Sequence, residues 1–336
     1  MDSITHLVAG AAIGEAILGK KVGKKTMLWG ALAANAPDID AVTNFFISDV
    51  DALVTHRGIT HSVFVAILMG PLLGWLLWRF NRMKEAPPGG WMLLVTVNIF
   101  FHLFLDTCTV YGTGLLTPFS DYRYAFDNIF VADPIYTIPL IISCVALLIL
   151  PRNHHNRFRW NAVGLGLSSM YLIFTFSNHS KAINAIKASA QQQNIQSDEF
   201  IATPTLLNNL LWNVVVKDTS GYWLGYYSIF DSDRTPELFF IAENEKLLET
   251  LPNQEDIQKL KKFSENNFCV TEYDNKVWFN VIRFGQVNGW DNPHSKFALS
   301  YDLSPGADNS MVVQSGRIEA SKKEVLQSMW NRMKGN

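Results

Sequence analysis

The chain has 336 residues, of which 48% are hydrophobic and 17% charged, and its formal net charge is -2. That length is enough for two domains, and the composition is more apolar and less charged than that of an ordinary soluble protein. Because the chain has no excess of basic residues, a nucleic-acid partner is not expected. The three cysteines, Cys108, Cys144 and Cys269, form no CxxC pair, so the sequence indicates neither a thiolate zinc site nor a disulfide framework.

Long apolar runs dominate the chain up to about residue 177. Residues 4–19 and 26–36 form two shorter runs, whose many alanines and glycines suit close packing between helices. Four longer runs follow that reach or approach the ~30 Å thickness of a bilayer: residues 61–80, 91–106, 135–150 and 160–176. The N-terminus lacks the basic segment and cleavage motif of a signal peptide, so none is predicted.

Basic residues concentrate in three connections between these runs. They are Lys20, Lys21, Lys24 and Lys25, then Arg79, Arg82 and Lys84, and finally Arg152, Arg157 and Arg159. The positive-inside rule assigns such connections to the cytoplasm. If both short runs also cross, the chain has six crossings. The segments around Asp38, His56 and residues 106–133 then face the non-cytoplasmic side together with the C-terminal part.

His102 and Asp106 lie in FFHLFLDT at a spacing that brings both side chains to one face of a helix. An imidazole and a carboxylate placed in this way can bind one metal ion. Ionisable side chains inside an apolar helix are costly, which makes them candidates for function. A buried ion pair, or solvation of the helix end, explains an isolated pair equally well.

The segment APDID follows the second run. Pro37 prevents smooth continuation of a helix, and in an extended segment Asp38 and Asp40 point to opposite sides. One carboxylate can then bind a metal, while the other bonds a ligating histidine or serves as a base. A helix stop followed by a capping aspartate is the simpler interpretation.

The segment THRGITHS stands directly before the first long run. Its two histidines, His56 and His61, would be about 140° apart on an unbroken helix. Gly58 is therefore predicted to break the helix, and Thr60 to cap a new one that begins near His61. His56 then lies in a loop, and both rings can turn toward one point. Arg57 suits a phosphate or carboxylate, although a snorkelling arginine between uninvolved histidines is the alternative.

Seven imidazole and carboxylate residues thus fall on the predicted non-cytoplasmic side. They are His6, Asp38, Asp40, His56, His61, His102 and Asp106. Such ligands without a thiolate suit Zn²⁺ or another divalent ion of the first transition row, and seven candidates exceed what one tetrahedral site needs. One to three ions are therefore expected. Sites of this kind favour hydrolysis, because the metal lowers the pKa of a bound water and stabilises phosphoester oxygens.

The order of four segments resembles that in the YdjM-like membrane-bound metal-dependent hydrolases of bacteria. These segments are MDSITHLVAG, APDID, HRGITHS and HLFLDTCTVYGTGLLTPFS, and the resemblance covers about residues 1–180. It implies an inner membrane protein in which the seven residues above and Arg57 occupy the family's motif positions, and it extends to Asp133 and Pro134. The family's hydrolase label is an analogy with zinc-dependent phospholipases C and related nucleases, which are all-α proteins.

The chain continues beyond the part that this family shares. Four of its later stretches are rich in β-branched and aromatic residues and are separated by turn signals: LLWNVVVKD, GYWLGYYSIF, ELFFIA and KVWFNVIRFG. Residues 255–265 are predicted to be helical, and His294 to lie alone at the surface. The predicted fold is mainly α, with a polytopic α-helical membrane domain over residues 1–180 and a small extramembrane α+β domain over 181–336. A lid or packing role is favoured for the second domain over substrate selection.

The leading hypothesis is an integral membrane, metal-dependent hydrolase in contact with membrane lipids. Its substrate would be a small-molecule or lipid-like phosphoester or ester, attacked by a metal-activated water at the non-cytoplasmic surface. The expected core ligands are His56, His61, His102 and Asp106. His6 with Asp38 or Asp40 would complete a second metal position. Asp38 and Asp40 are also candidate catalytic groups. Arg57 would hold the substrate's anionic group.

Two other classes of function are compatible with the sequence. A non-catalytic membrane protein would use the polar cluster as a closed structural metal site and the exterior domain as a binding module. An ion or metal transporter needs ionisable or polar residues at mid-membrane depth, and the apolar runs offer only Glu15 and Asn98. The transporter ranks below the other two.

Overall fold

The computed structural model describes residues 1–80, 85–273, 275–304 and 322–335. Arg82 and Lys84, which were assigned to a cytoplasmic connection, lie outside the described residues. The chain divides into two compact units. The first comprises Met1–Phe46 and Thr55–Thr175, and the second comprises Ile47–Val54 and Phe176–Asn336.

Nine α-helices and seven strands are present in the described parts of the chain. In chain order the helices are α1 (Ser3–Val22), α2 (Lys25–Ala34), α3 (Asp49–Thr55), α4 (Val63–Phe80), α5 (Pro88–Thr107), α6 (Pro134–Ile149), α7 (Asn156–Gln192), α8 (Gln254–Ser264) and α9 (Lys322–Met333). Short 3-10 helices occupy Pro37–Phe45, Ile59–His61, Glu245–Leu248 and Ile282–Phe284. The strands are β1 (Phe200–Pro204), β2 (Leu211–Lys217), β3 (Gly221–Ser228), β4 (Leu238–Ala242), β5 (Phe268–Tyr273), β6 (Lys276–Val281) and β7 (Ser300–Asp302).

Two helices among the described residues, α4 and α5, are long and apolar enough to cross a membrane. Helix α6 is apolar but has only 16 residues. The predicted run over residues 160–176 is part of α7, which has 37 residues and continues well beyond it. The structure thus supports two candidate spans, whereas four to six membrane helices were expected. The coarser prediction, a mostly helical N-terminal part followed by a small β-sheet domain, is confirmed.

Helices α1 and α2 pack closely, as their alanines and glycines predicted. A Cβ atom added to Gly14 would lie 2.2 Å from the Thr26 carbonyl oxygen, and one added to Gly30 would lie 2.1 Å from the Gly10 carbonyl oxygen. Only glycine permits this approach of one backbone to the other. Since position 14 faces 26 and position 10 faces 30, the helices are antiparallel, and the start of α1 lies beside the end of α2.

Helices α4 and α5 are paired in the same manner. A Cβ on Gly70 would meet the Cα of Thr96 at 2.9 Å, and one on Gly74 would meet the Cα of Met92 at 2.5 Å. The pair is therefore antiparallel too, which brings the start of α4 beside the end of α5. Because α5 buries more of its surface than α4, it is the more central of the two.

A buried ion pair joins α1 to α7 at the opposite end of the first unit. The guanidinium of Arg157 donates to both carboxylate oxygens of Glu15, at 2.9 and 2.7 Å, and also to the carbonyls of Leu147 and Leu150 at the end of α6. Arg157 was assigned to a cytoplasmic connection, and Glu15 was named as an ionisable residue within an apolar run; their pairing was not predicted. The two residues neutralise each other, and removing one partner of such a buried pair typically costs about 3–5 kcal/mol.

The second unit contains two antiparallel sheets, with strand orders β1-β2-β3-β4 and β5-β6-β7. Strand β2 is buried on both faces: Trp212, Val214 and Val216 pack in a cluster with alanines of α7, whereas Val215 packs in a second cluster with Cys269. The predicted strands correspond to β2, β3, β4 and β6, and the predicted helix to α8. Strands β1, β5 and β7 and helices α3 and α9 were not predicted.

Candidate metal centre

Four segments meet at one end of the helices of the first unit. They are the start of α1, the 3-10 helix Pro37–Phe45 that follows α2, the THRGITHS loop, and the end of α5. The antiparallel packing of α1 with α2 and of α4 with α5 is the reason for this convergence. It places the predicted polar residues together although they are as much as a hundred positions apart in sequence.

One atom from each of four side chains forms a compact group, all within 4.8 Å of one another; the residues are Asp38, His61, His102 and Asp106. The two Nε2 atoms of the histidines are 3.0 Å apart. Each lies 3.4–3.5 Å from Asp38 Oδ1 and from Asp106 Oδ2. Tetrahedral ligands about 2.0–2.1 Å from a Zn²⁺ ion are about 3.4 Å apart. The four side chains therefore fit a divalent ion both in donor type and in spacing.

Hydrogen bonds on the far side of each ring orient the two histidines. His102 Nδ1 lies 2.6 Å from the Ala34 carbonyl oxygen at the end of α2, so this nitrogen carries a proton. Thr60 donates its hydroxyl hydrogen to Asp40 at 2.8 Å, so it accepts from His61 Nδ1 at 2.9 Å. In the neutral rings these bonds leave both Nε2 lone pairs directed into the group, as metal-ligating histidines require.

Negative charge dominates the cluster. Burial alone would lower the pKa of His61, but the carboxylates of Asp106, Asp38 and Asp40 outweigh it and raise the pKa to about 10. The cluster therefore stabilises positive charge at its centre. A divalent cation would take over that role and release the proton, since metal ligands must be deprotonated.

Asp40 holds the THRGITHS loop in place. It accepts the backbone N–H of Arg57 at 3.1 Å and the hydroxyl of Thr60, and it lies 3.0 Å from His56 Nδ1. Burial alone would raise the pKa of Asp40, but hydrogen bonds from His56 and His61 lower it. The prediction that Asp38 and Asp40 point to opposite sides of an extended segment is wrong. They lie on a 3-10 helix, in which positions two apart are separated by about 120° around the axis, and both carboxylates reach the cluster.

A second group of potential ligands shares Asp38 with the first. It consists of Asp38, Asp40 and His56. The ring of His56 is one-third exposed, whereas His61 and His102 are fully buried. His56 therefore lies at the more open side of the cluster, apart from the four-residue group in which it was expected.

His6 supports the cluster from the side of α1. Its Nε2 lies 3.2 Å from Asp106 Oδ1, and its ring stacks on that of His102 with 3.9 Å between centroids. The backbone nitrogen of Met1 also bonds Asp106 Oδ1. Thus one oxygen of Asp106 faces His6 while the other faces His61 and His102, and His6 itself contributes to neither group of potential ligands found among the described residues.

Arg57 is buried and directed into the cluster. Its Nε lies 3.1 Å from Asp106 Oδ2, Nη1 donates to the Thr109 hydroxyl at 2.9 Å, and the guanidinium lies 5.3 Å from the centre of the Tyr111 ring. Only 5% of the residue is exposed, and its φ of 60° is in the left-handed region. Arg57 therefore neutralises a candidate ligand in this structure, whereas its sequence context suggested that it would hold a substrate anion.

Thr60 was expected to cap α4, and this expectation is wrong. Helix α4 begins at Val63, after a separate 3-10 turn that contains His61. The hydroxyl of Ser62 accepts the N–H of Phe64 at 3.2 Å, while that of Thr60 is used by Asp40. His61 gains its fixed position from this short turn.

The segment after α5 supports the THRGITHS loop through backbone hydrogen bonds that were not predicted. Gly114 N–H donates to the Arg57 carbonyl at 2.9 Å, and the Leu115 carbonyl accepts from Val63 N–H at 2.9 Å. A Cβ on Gly114 would lie 3.1 Å from the Arg57 carbonyl oxygen. The glycines of TVYGTGLL were therefore the sequence feature that could have indicated this close contact. Asp133, in contrast, caps α6 and accepts from the Tyr171 hydroxyl.

The part of the chain that forms this cluster is similar to known proteins. The family model described as YdjM inner membrane protein matches residues 1–182. Inner membrane protein YbcI of Escherichia coli is 32% identical over 123 residues, covering 36% of this chain and 69% of that protein. The uncharacterized protein YfhP of Bacillus subtilis is 26% identical over 236 residues, covering 67% of this chain and 68% of that protein. No solved structure matches. The chain belongs to the YdjM family of inner membrane proteins.

Proposed function

We propose that this protein is a membrane hydrolase that binds a divalent cation, Zn²⁺ being the best chemical fit, through Asp38, His61, His102 and Asp106. Its substrate would be a phosphoester or other ester, lipid-like or small, at the membrane surface. The observation that carries this proposal is that two imidazole nitrogens lie 3.0 Å apart and that each lies 3.4–3.5 Å from two carboxylate oxygens. When bound, such a cation lowers the pKa of a coordinated water and neutralises charge on phosphoester oxygens.

Other residues of the cluster hold the ligands in position or are placed to transfer a proton. Arg57 and His6 hold the two oxygens of Asp106, and Asp40 holds the loop that carries His61. His56 is one-third exposed and is paired through Nδ1 with Asp40, an arrangement suited to accepting or donating a proton. Asp38, whose side chain is 21% exposed, lies on the side from which a substrate would approach.

A second ion beside the first is part of the proposal. Asp38 belongs to both groups of potential ligands, so its carboxylate is suited to bridge two cations. Asp40 and His56 would complete the second position, and His56 would then be a ligand instead of a proton carrier. Two-ion sites stabilise both the attacking and the leaving oxygen of a phosphoester. The number of bound ions distinguishes the two versions.

The active face is proposed to be non-cytoplasmic. The lysine-rich connection between α1 and α2 lies at the end of the α1–α2 pair opposite to the cluster, and such connections remain in the cytoplasm. The second unit would share the side of the cluster under the same rule. The four lysines at residues 20–25 are the main support, because Arg157 is used in a buried ion pair.

A structural metal site is the second candidate function. Its support is that His61, His102 and Asp106 are each fully buried, as ligands of closed sites are. The second unit would then serve as a binding module. The partly exposed Asp38 favours the catalytic version, because catalytic sites keep one position open to water or substrate.

Metal analysis of the detergent-purified protein, combined with a screen of phospholipids and soluble phosphoesters for hydrolysis, tests both functions. We expect stoichiometric metal and turnover in the unaltered protein, and His102→Ala should lose tight metal binding but still insert into membranes. His294→Ala is the matched control, since His294 is an exposed histidine of the second unit. Stoichiometric metal in the His102→Ala variant would contradict the ligand set. Bound metal without turnover on any substrate would favour the structural site.

A further inference from the structure

Large apolar side chains stand exposed on the same segments that hold the candidate metal centre. They lie outside the two candidate spans, and we call them the apolar rim: Ile39, Val42, Phe45, Phe46, Ile59 and Phe119. Each is more than half exposed, and Phe45 reaches 85%. The rim is therefore a feature of the loops and 3-10 helices around the cluster, and the lipid-facing sides of α4 and α5 do not account for it.

The spacing of three rim residues shows that their exposure follows the helix geometry. Ile39, Val42 and Phe45 are three residues apart on the 3-10 helix Pro37–Phe45, and three residues make one turn of such a helix. They therefore share one face. Asp40 lies off that face and is buried against the THRGITHS loop. One short helix thus directs a carboxylate toward the cluster and an apolar stripe away from it.

The rim is continuous with the surface of a candidate span. The Phe119 ring meets that of Phe64 edge to face, with 5.0 Å between centroids. Phe64 lies in the first turn of α4, and Ile67 and Leu68 extend the exposed apolar surface along that helix. Ile59 begins the 3-10 turn that precedes the same helix. Since α4 is long and apolar enough to lie in a bilayer, the rim lies where that bilayer would end.

Exposure of this surface to water would be unfavourable. Exposed apolar patches of this kind mark contact with a membrane or another protein, because burial removes their apolar surface from water. Phenylalanine and isoleucine on a short amphipathic segment suit the boundary between headgroups and acyl chains.

We propose that the apolar rim inserts into the bilayer at the level where headgroups meet acyl chains, and that its partner is the phospholipid of the membrane that α4 spans. The insertion holds the 3-10 helix Pro37–Phe45 at the membrane surface. As a consequence, Asp38 and its neighbours lie at headgroup depth, within reach of a lipid phosphate. The insertion itself does not depend on a bound metal or on hydrolysis.

The full-length protein in phospholipid nanodiscs provides the test. The three native cysteines are buried, so Val42→Cys and Phe45→Cys can be labelled separately with an environment-sensitive fluorophore. We expect blue-shifted emission, strong quenching by lipids that carry a nitroxide near the headgroup, and loss of quenching by aqueous iodide. Phe230→Cys is the control, because Phe230 is 59% exposed but belongs to the second unit, and it should remain accessible to iodide.

Two outcomes would overturn the proposal. Quenching of both rim labels by iodide, equal to that of the control, would place them in water. Protection from iodide together with protection from the nitroxide lipid would mean that protein covers the rim. Val42→Cys changes less volume than Phe45→Cys, so it keeps the test valid if the second variant does not fold. Because neither readout involves metal or turnover, failure of the hydrolase proposal and failure of this one are distinguishable.

Discussion

The two aspartates of APDID differ in environment although one residue separates them. Asp38 is partly exposed and places Oδ1 at 3.4–3.5 Å from the Nε2 atoms of His61 and His102. Asp40 is buried and accepts hydrogen bonds from the backbone of Arg57 and the hydroxyl of Thr60. Asp38 therefore has the position of a metal ligand, whereas Asp40 positions the loop that carries another ligand.

This difference predicts distinct effects of the same substitution. Asp40→Asn should weaken the affinity of the four-residue group for its ion by about 10–100-fold without changing the amount that this group binds at saturation, as is typical when a group that orients a ligand is altered. Asp38→Asn should lose stoichiometric binding because it replaces an anionic ligand with a neutral amide. Competition titration with a chelator of known affinity measures both quantities. Lost binding in Asp40→Asn together with merely weakened affinity in Asp38→Asn would contradict these roles.

At the scale of elements, the glycine contacts between antiparallel helices decide where the site forms. Gly14 and Gly30 let α1 and α2 approach until their backbones touch, and this approach brings Ala34 and His6 to the same end. The Ala34 carbonyl then orients His102, while His6 packs on the His102 ring. A change in the α1–α2 contact would therefore disturb the cluster by displacing Ala34 and His6.

Gly14→Ala is expected to lower the stability of the protein by about 1–3 kcal/mol, the usual cost of overpacking, because the new Cβ would lie 2.2 Å from the Thr26 carbonyl oxygen. Thermal unfolding in detergent should show the loss as a lower midpoint. Gly166→Ala is the matched control, since no atom lies within 4 Å of a Cβ at that helical position. It should be neutral or slightly stabilising, as alanine favours helix more than glycine does. Equal midpoints for the two variants would argue against a tight α1–α2 contact.

At the scale of the whole molecule, charge is distributed between the two ends of the helices. The cluster of three carboxylates occupies one end of the first unit, and the lysines between α1 and α2 occupy the other. Part of the arginine charge at that second end is internal, because Arg157 is buried against Glu15. The exposed lysines at residues 20–25 therefore provide most of the evidence for the orientation of the protein in the membrane.

Orientation can be measured with a membrane-impermeant maleimide, because the native cysteines are buried. Asp233 is an exposed residue of the second unit and Lys21 an exposed residue of the α1–α2 connection. We expect Asp233→Cys to be labelled in intact spheroplasts and Lys21→Cys only after the membrane is permeabilised. Labelling with the opposite pattern would place the cluster and the second unit in the cytoplasm.

The sequence alone determined the residue types of the candidate site and the order of the segments that carry them. Helical spacing predicted that His102 and Asp106 share a face, and β-branched and aromatic runs predicted β2, β3, β4 and β6. These features depend on neighbours within one turn or one strand, so local patterns contain them. Strand β7 was missed because it has only three residues and pairs with β6 about twenty positions away. Strands β1 and β5 pair with their neighbours β2 and β6 in sequence, and their local patterns were not recognised.

Only the tertiary structure decided which of the candidate residues face one another. The convergence of Asp38, His61, His102 and Asp106, the inward direction of Arg57 and the supporting position of His6 all depend on contacts between helices remote in sequence. The pairing of Glu15 with Arg157 is of the same kind. A pattern can place a charge on a helix, but the partner of that charge is set by how the helices pack.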